Sequence, residues 1–292
     1  MGRVIQITNL EIKKMADYLS KSKEKGKFIA YHSDSSDEFP SYYDYYSEGD
    51  EDDNNDDDKE SVLLLCLEKL NLGSKKKKLL VFNLNGVLIH RDHKKSPSTK
   101  YRSPDGVFGS QVVYKRPFLD KFLKFCLERF EVGLWSSAQV QNTDGVVESV
   151  LQEYESRFLF VWDQDRCSDY GYKLPDKKRK PMFFKELANV WSSLAAIKRQ
   201  FYESNTLLID NEPYKALLNP PNTGIFLETY SVRDATDNAL DLKNELGLFL
   251  EGLAEANDVP SYVKSHPIGQ PALGPTHPDW EFYSRICRLF KN

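Results

Sequence analysis

Short runs made almost wholly of apolar residues, each stopped by polar ones and separated by stretches of helical periodicity, constrain this chain more than any other feature. The clearest is Leu79-Leu80-Val81-Phe82, which runs into Asn83-Leu84-Asn85-Gly86; comparable runs occupy 131–135, 158–162, 206–209 and 224–227. A strand without polar alternation offers no face to water, so it belongs inside a parallel sheet covered on both sides. Between the runs, Phe118, Leu119, Phe122, Leu123, Cys126, Leu127 and Phe130 fall on one face of a helix beginning with Pro117 near its first turn. A second helix is expected from about 181, with Phe184, Leu187, Trp191, Leu194 and Ile197 inward. A third, from 237 to about 256, carries Leu240, Leu246, Phe249, Leu250 and Leu253. Residues 91–113, with Pro97, Pro104 and Gly106, read as a hairpin or loop over the carboxyl edge of the first strand. Strands alternating with helices define an α/β fold, Rossmann-like, with a central parallel sheet and helices on both faces.

The 292 residues can bury one large core or two small ones. Residues 33–60 are the exception to a globular composition: dense in Asp and Glu and nearly free of aliphatic side chains, they cannot offset chain entropy by burial. The expected organisation is a short helical N-terminal segment at 1–32, an acidic disordered arm at 33–60, a folded domain at 61–256 and a C-terminal tail at 257–292 packing on that domain. Within the segment, Thr8-x-x-Glu11 has the form of a capping box, and residues 62–72 form another apolar helical piece ending at Gly73. The net charge of −4 therefore conceals an acidic arm attached to a lysine-rich body. The arm's Tyr42-Tyr43-Asp44-Tyr45-Tyr46 and Ser35-Ser36-Asp37-Glu38 are open to phosphorylation; the plainer reading is a solvated linker.

Cys66, Cys126, Cys167 and Cys287 are scattered without CxxC spacing, which suits buried thiols in a reducing compartment and offers no zinc site. No apolar run approaches the roughly 20 residues that cross a bilayer, and the first residues have neither a signal-peptide core nor an acid-free, arginine-rich presequence. Gln6 stands where myristoylation expects Ser or Thr. A soluble protein of the nucleus or cytoplasm is expected, with no transmembrane segment and no direct nucleic-acid partner. Lys75–Lys78 and Lys177-Lys178-Arg179-Lys180 read as an import signal, a phosphate-facing patch or solvated surface. His90-x-x-His93 with Asp92 lacks a zinc-like context and is assigned no metal.

In a doubly wound sheet, ligands gather beyond the carboxyl ends of the strands. Three strand ends carry polar clusters, Asn83-Leu84-Asn85-Gly86, Ser136-Ser137 and Asp210-Asn211, and Lys185 lies on the expected second helix. The intervening segments VYKRPFLDKFL (113–123), EVGLWSSA (131–138) and LLIDNEPYKALLNPPNTGIF (207–226) occur in order and at fitting distances. With these the chain resembles the haloacid dehalogenase superfamily, and within it the FCP/SCP (NLI-interacting-factor-like) phosphatases acting on the RNA polymerase II C-terminal domain, over roughly 77–230.

That resemblance implies the haloacid dehalogenase fold and a mechanism in which the first Asp of Asp-x-Asp-Gly-Thr attacks phosphorus while the second protonates the leaving oxygen and later activates water. Those roles fall on Asn83 and Asn85, and the family's Thr is Val87. It further implies that Ser136 binds a phosphate oxygen, that Lys185 neutralises phosphate charge, and that Asn211 with the first-strand pair holds Mg²⁺. A carboxamide is a feeble nucleophile beside a carboxylate, and it has no proton to shuttle near neutral pH. Mg²⁺ is ordinarily held by one or two carboxylates with water, and Asp210 alone supplies charge here, so the metal is expected to be weak or absent. Plainer roles stand beside each of these: Asn83 and Asn85 as turn residues, Ser136 as a cap, Lys185 as a solvated charge, Asp210 and Asn211 as caps of the following turn.

The leading expectation is a catalytically inactive phosphatase-fold protein acting as a binding or scaffold module, in its sharper form for phosphorylated protein segments. The competitors are an active Mg²⁺-dependent protein serine phosphatase of the C-terminal-domain type and a TIM-type mitochondrial import receptor, which would place the chain in the mitochondrion.

Overall fold

The computed structural model describes residues 77–96, 100–177, 179–197 and 199–291. The segment at 1–32, the acidic arm at 33–60, the apolar piece at 62–72 and Cys66 lie outside the described residues.

Along the described chain the strands are β1 (Leu79–Phe82), β2 (Ile89–His93), β3 (Gly106–Phe108), β4 (Gln111–Lys115), β5 (Glu131–Trp135), β6 (Phe160–Trp162), β7 (Ser168–Lys173), β8 (Pro181–Phe184), β9 (Thr206–Asp210) and β10 (Gly224–Phe226). The helices are α1 (Leu119–Arg129), α2 (Val140–Val146), α3 (Leu187–Ala195), α4 (Glu245–Glu255), α5 (Val259–Ser265) and α6 (Trp280–Phe290). Five strands form one sheet in the order β10-β9-β1-β5-β6, all pairs parallel, with Val81 opposite Gly133 on one side and Leu208 on the other. β1 is central and buried at every position. Its side chains alternate between two cores. Leu80 and Phe82 join Phe122 and Leu123 of α1, Val146 of α2 and Leu250 of α4, whereas Leu79 and Val81 join Leu187, Val190 and Leu194 of α3. That division is why the strand needs apolar residues at consecutive positions, and it places helices on both faces. Gly133 admits the Phe160 ring of the neighbouring strand, since a Cβ there would lie 2.3 Å from it.

Two antiparallel units interrupt the alternation. After β1 the chain builds a sheet of order β2-β4-β3, so the segment expected as a hairpin or loop contains a hairpin, β3–β4, and gains a third strand in β2. After β6, β7 and β8 form a hairpin. This corrects the helix expected from 181. Met182 and Phe184 are buried while Pro181 is exposed, a period of two, and the helix starts only at Leu187. Ile197, 38% exposed, lies past its end.

Two other helix expectations change at their starts. α1 opens at Leu119, because Phe118 occupies the left-handed region at φ 68° as the residue before the helix and is 44% exposed, off the apolar face. α4 begins at Glu245 rather than 237. The Asp and Asn side chains ahead of it hold turns instead: Asp241 accepts from the Lys243 N–H and Asn244 donates to the Asn238 carbonyl. Downstream, α6 places Tyr283 and Ile286 against Met182, Phe184, Tyr214 and Leu217. No helix among the described residues is long and apolar enough to cross a membrane.

Candidate functional site

The sheet order sets the ends of β5, β1 and β9 side by side, so Ser136, Asn83 and Asp210 close three adjacent strands at one edge. Asn83 is buried, its backbone N–H still donating to the Ile209 carbonyl at 2.9 Å. Lys185 reaches it from the end of β8, not from a helix, which corrects the expected setting while keeping the residue in the cluster. An extended residue whose carbonyl accepts from Asn219 and whose N–H donates to the Lys215 carbonyl can aim its side chain across the sheet end.

The Lys185 ammonium donates to Asn83 Oδ1 at 2.9 Å and to Asp210 Oδ2 at 2.6 Å, and both charged side chains are fully buried. Because an ammonium only donates, it fixes the Asn83 amide with oxygen towards Lys185 and nitrogen away. That nitrogen donates to the Asn85 backbone carbonyl at 2.8 Å and meets the Asn211 amide at 2.7 Å. A reversed Asn211 amide would donate to Asp210 Oδ1 at 3.1 Å and to the Asn85 carbonyl at 3.3 Å, but it would set nitrogen against nitrogen at Asn83, whose orientation Lys185 dictates. Asn211 Oδ1 therefore accepts from Asn83, and its nitrogen donates to Thr229 Oγ1 at 2.9 Å, a hydroxyl that accommodates either orientation. The exposed Asn85 side chain accepts from the Arg91 N–H at 2.8 Å. Gly86, at φ 92°, packs its α-carbon on Asn211, where a Cβ would fall 2.5 Å from Nδ2.

Asp210 is saturated. Besides Lys185 it receives the Lys215 ammonium at 3.2 Å and the backbone N–H groups of Asn211 and Glu212. Glu212 joins Lys215 at 3.0 Å and Lys180. Burial works to raise the Asp210 carboxyl, but Lys185 and Lys215 win and hold it below its ordinary range. Burial pushes the Lys185 ammonium down to about 8, against the pull of Asp210. For Lys215 burial is outweighed by Asp210 and Glu212, and its ammonium rises above the ordinary value.

Ser136 stands at the next strand end; its Oγ accepts from the Ala138 N–H at 3.0 Å, and its N–H donates to the Trp162 carbonyl. Beside it, the Cys167 thiol approaches the Ser136 carbonyl at 3.8 Å, and burial raises it to about 11, well above the range of a reactive thiolate.

The donors do not fit Mg²⁺. Asn83 Oδ1 and both Asp210 oxygens are taken by ammonium groups, and the Asn85 carbonyl and Asn211 Oδ1 are taken by the Asn83 amide nitrogen. A hard dication wants free oxygen ligands and at least one uncommitted carboxylate. Among the described residues no group of His, Cys, Asp and Glu gathers as metal ligands would.

Lys215, Glu212 and Arg116 were missed by sequence reasoning. The first two lie inside the 207–226 segment, where the acid and amine spacing Asp210, Glu212, Lys215 was the available signal. Arg116 lies in VYKRPFLDKFL. It pairs bidentately with Asp237 at 2.8 and 2.7 Å and donates to the Val87 and Glu228 carbonyls, clamping the loop behind Gly86. Its partner is 121 residues away, beyond any local pattern.

A family model described as NLI interacting factor-like phosphatase matches residues 78–260. An uncharacterized FCP1 homology domain-containing protein of Schizosaccharomyces pombe is 25% identical over 207 residues, 68% of this chain and 80% of that protein. The CTD small phosphatase-like protein 1 of Caenorhabditis elegans is 27% identical over 149 residues, 50% of this chain but only 26% of its own length. A solved structure of Fcp1, an essential RNA polymerase II CTD phosphatase, aligns with 14% identity and a TM-score of 0.37, over 79% of this chain and 64% of that one.

Proposed function

We propose, from the premise that this chain belongs to the NLI interacting factor-like phosphatase family, that it is a catalytically silent member, a binding module for protein segments carrying a phosphoryl group. The observation that carries this reading is the Asn83 amide, its oxygen held by Lys185 and its nitrogen committed to Asn85 and Asn211. At the strand end where a covalent route would need an ionised nucleophile, a neutral group stands. Loss of one general acid or base costs about 10²–10⁴-fold in rate, and Asn85 supplies neither acid nor base. Asp210 is no substitute, since four donors surround its carboxylate.

Binding is a different matter, because the same substitutions remove negative charge. Lys185, Lys215 and Lys180 outnumber Asp210 and Glu212, leaving a positive excess behind the strand ends. The Ser136 hydroxyl accepts from Ala138, leaving its own hydrogen to donate. Among the described residues, the backbone N–H groups of Leu84 and Asn85 donate to no protein acceptor. Donors of this kind beside buried ammonium charge favour a phosphate group.

The test pairs turnover with titration. Unaltered protein should hydrolyse an aryl phosphate no faster than buffer. It should bind a phosphoserine peptide in preference to its unphosphorylated twin, and Ser136→Ala should weaken that preference. Turnover that persists through stringent purification and vanishes in Asp210→Ala overturns the silent reading; equal binding of both peptides overturns the phosphosegment reading.

A further inference from the structure

The polar atoms around Asn83 are arranged as a small coordination shell with an amide nitrogen at its centre. Two oxygens converge on Asn83 Nδ2, the Asn85 carbonyl at 2.8 Å and Asn211 Oδ1 at 2.7 Å, the second contributed from 128 residues further along the chain. Carbonyl and amide oxygens converging from separate loops are the donors a hard cation collects, and without a positive partner they repel. Here an N–H₂ group is that partner, and each of its two hydrogens faces one oxygen. The surroundings hold this arrangement: Lys185 fixes the Asn83 amide and through it the Asn211 oxygen, Thr229 holds the other end of Asn211 in place, and Gly86 leaves room for the Asn211 side chain.

We infer that the Asn83 carboxamide is a built-in substitute for a divalent cation, drawing together the Asn85 and Asn211 oxygens so that the strand-end loops are organised without metal. Replacement by Asp has a definite consequence. A carboxylate oxygen in place of Nδ2 would face two oxygens within hydrogen-bond distance with no proton between them. The loops must then part or take up a cation.

The experiment compares the unaltered protein with Asn83→Asp, by thermal melting and by Mn²⁺ electron paramagnetic resonance. The unaltered protein should melt at the same temperature in EDTA, in about 10 mM MgCl₂ and in NaCl of matched ionic strength. Mn²⁺ added to it should keep the spectrum of the free aqua ion. Asn83→Asp should melt lower in EDTA, recover by about 4 °C or more with Mg²⁺ but not with NaCl, and quench the free Mn²⁺ signal. Mn²⁺ binding by the unaltered protein that disappears in Asn211→Ala, or a Mg²⁺-specific rise in its melting temperature, overturns the inference. So does an Asn83→Asp variant indifferent to metal. If that variant does not fold in EDTA, recovery of its circular dichroism on adding Mg²⁺ is the same test, and the Mn²⁺ spectrum of the unaltered protein decides in any case. Peptide binding enters neither readout, so the result is independent of the phosphosegment reading.

Discussion

The ammonium of Lys185 stands 2.9 Å from the amide oxygen of Asn83, a buried charge against a neutral acceptor. Among the described residues its one carboxylate contact is Asp210 at 2.6 Å, which it shares with Lys215. Half a counter-charge in a dry site explains why burial prevails and the lysine titrates at about 8.

Placing a carboxylate at position 83 adds a second negative charge beside Lys185, and an opposite charge at this distance favours the protonated amine. Asn83→Asp should therefore raise the Lys185 pKa from about 8 towards 10.5, read from the side-chain nitrogen resonance of labelled lysine across a pH titration. In the unaltered protein, between about 8 and 10.5, the folded chain binds fewer protons at this group than the unfolded chain. Its contribution to stability accordingly rises with pH in that window. An unshifted resonance in the variant contradicts the electrostatic account.

Asp210→Asn keeps the shape of the cluster and removes its central charge, leaving two buried ammonium groups, Lys185 and Lys215, without that carboxylate. A loss of about 3–5 kcal/mol at neutral pH is expected in urea unfolding. The sign follows from the folded carboxyl lying below its ordinary 3.8: its stabilisation is full above that value and fades as pH falls through it towards the folded pKa. The unaltered protein should show this acid loss, and Asp210→Asn should lack this component of it.

Gly86→Ala meets two obstacles, a backbone at φ 92° and an Asn211 amide 2.5 Å from the new Cβ. The first alone costs about 1–3 kcal/mol. Shortening the obstructing side chain in Gly86→Ala with Asn211→Ala should return part of the loss, so the double-mutant cycle should show favourable coupling. Strict additivity would place the whole cost in the backbone.

Arg116→Ala breaks a buried bidentate pair with Asp237 and withdraws donors from the Val87 and Glu228 carbonyls. About 3–5 kcal/mol of stability should be lost, and hydrogen exchange should accelerate at residues 86–89 more than in β9. Uniform acceleration would show that the clamp acts on the whole domain rather than on the loop.

The parallel sheet was legible because its chemistry is local to each strand: Leu79–Phe82 must be buried on two faces, and four adjacent apolar residues declare that directly. The ordered motifs likewise located Asn83, Ser136 and Asp210 at strand ends. Pattern failed between 164 and 186. A hairpin with Tyr170 and Tyr172 on one arm and Met182 and Phe184 on the other is fixed by pairing across the loop, which apolar spacing near Leu187 obscured as helix. It failed again at Phe118, whose exposure follows from a left-handed backbone that composition does not reveal.

By itself, the sequence determined that the first apolar strand ends in two neutral amides, Asn83 and Asn85, since charge is a property of the residue and survives any fold. Only the tertiary structure decided what those amides do. Asn83 is oriented by Lys185 and faces Asn85 and Asn211 because three strand ends and the β7–β8 hairpin meet at one edge. Hydrogen-bond direction depends on where distant donors and acceptors are held, and that is set by packing rather than by neighbouring residues in the chain.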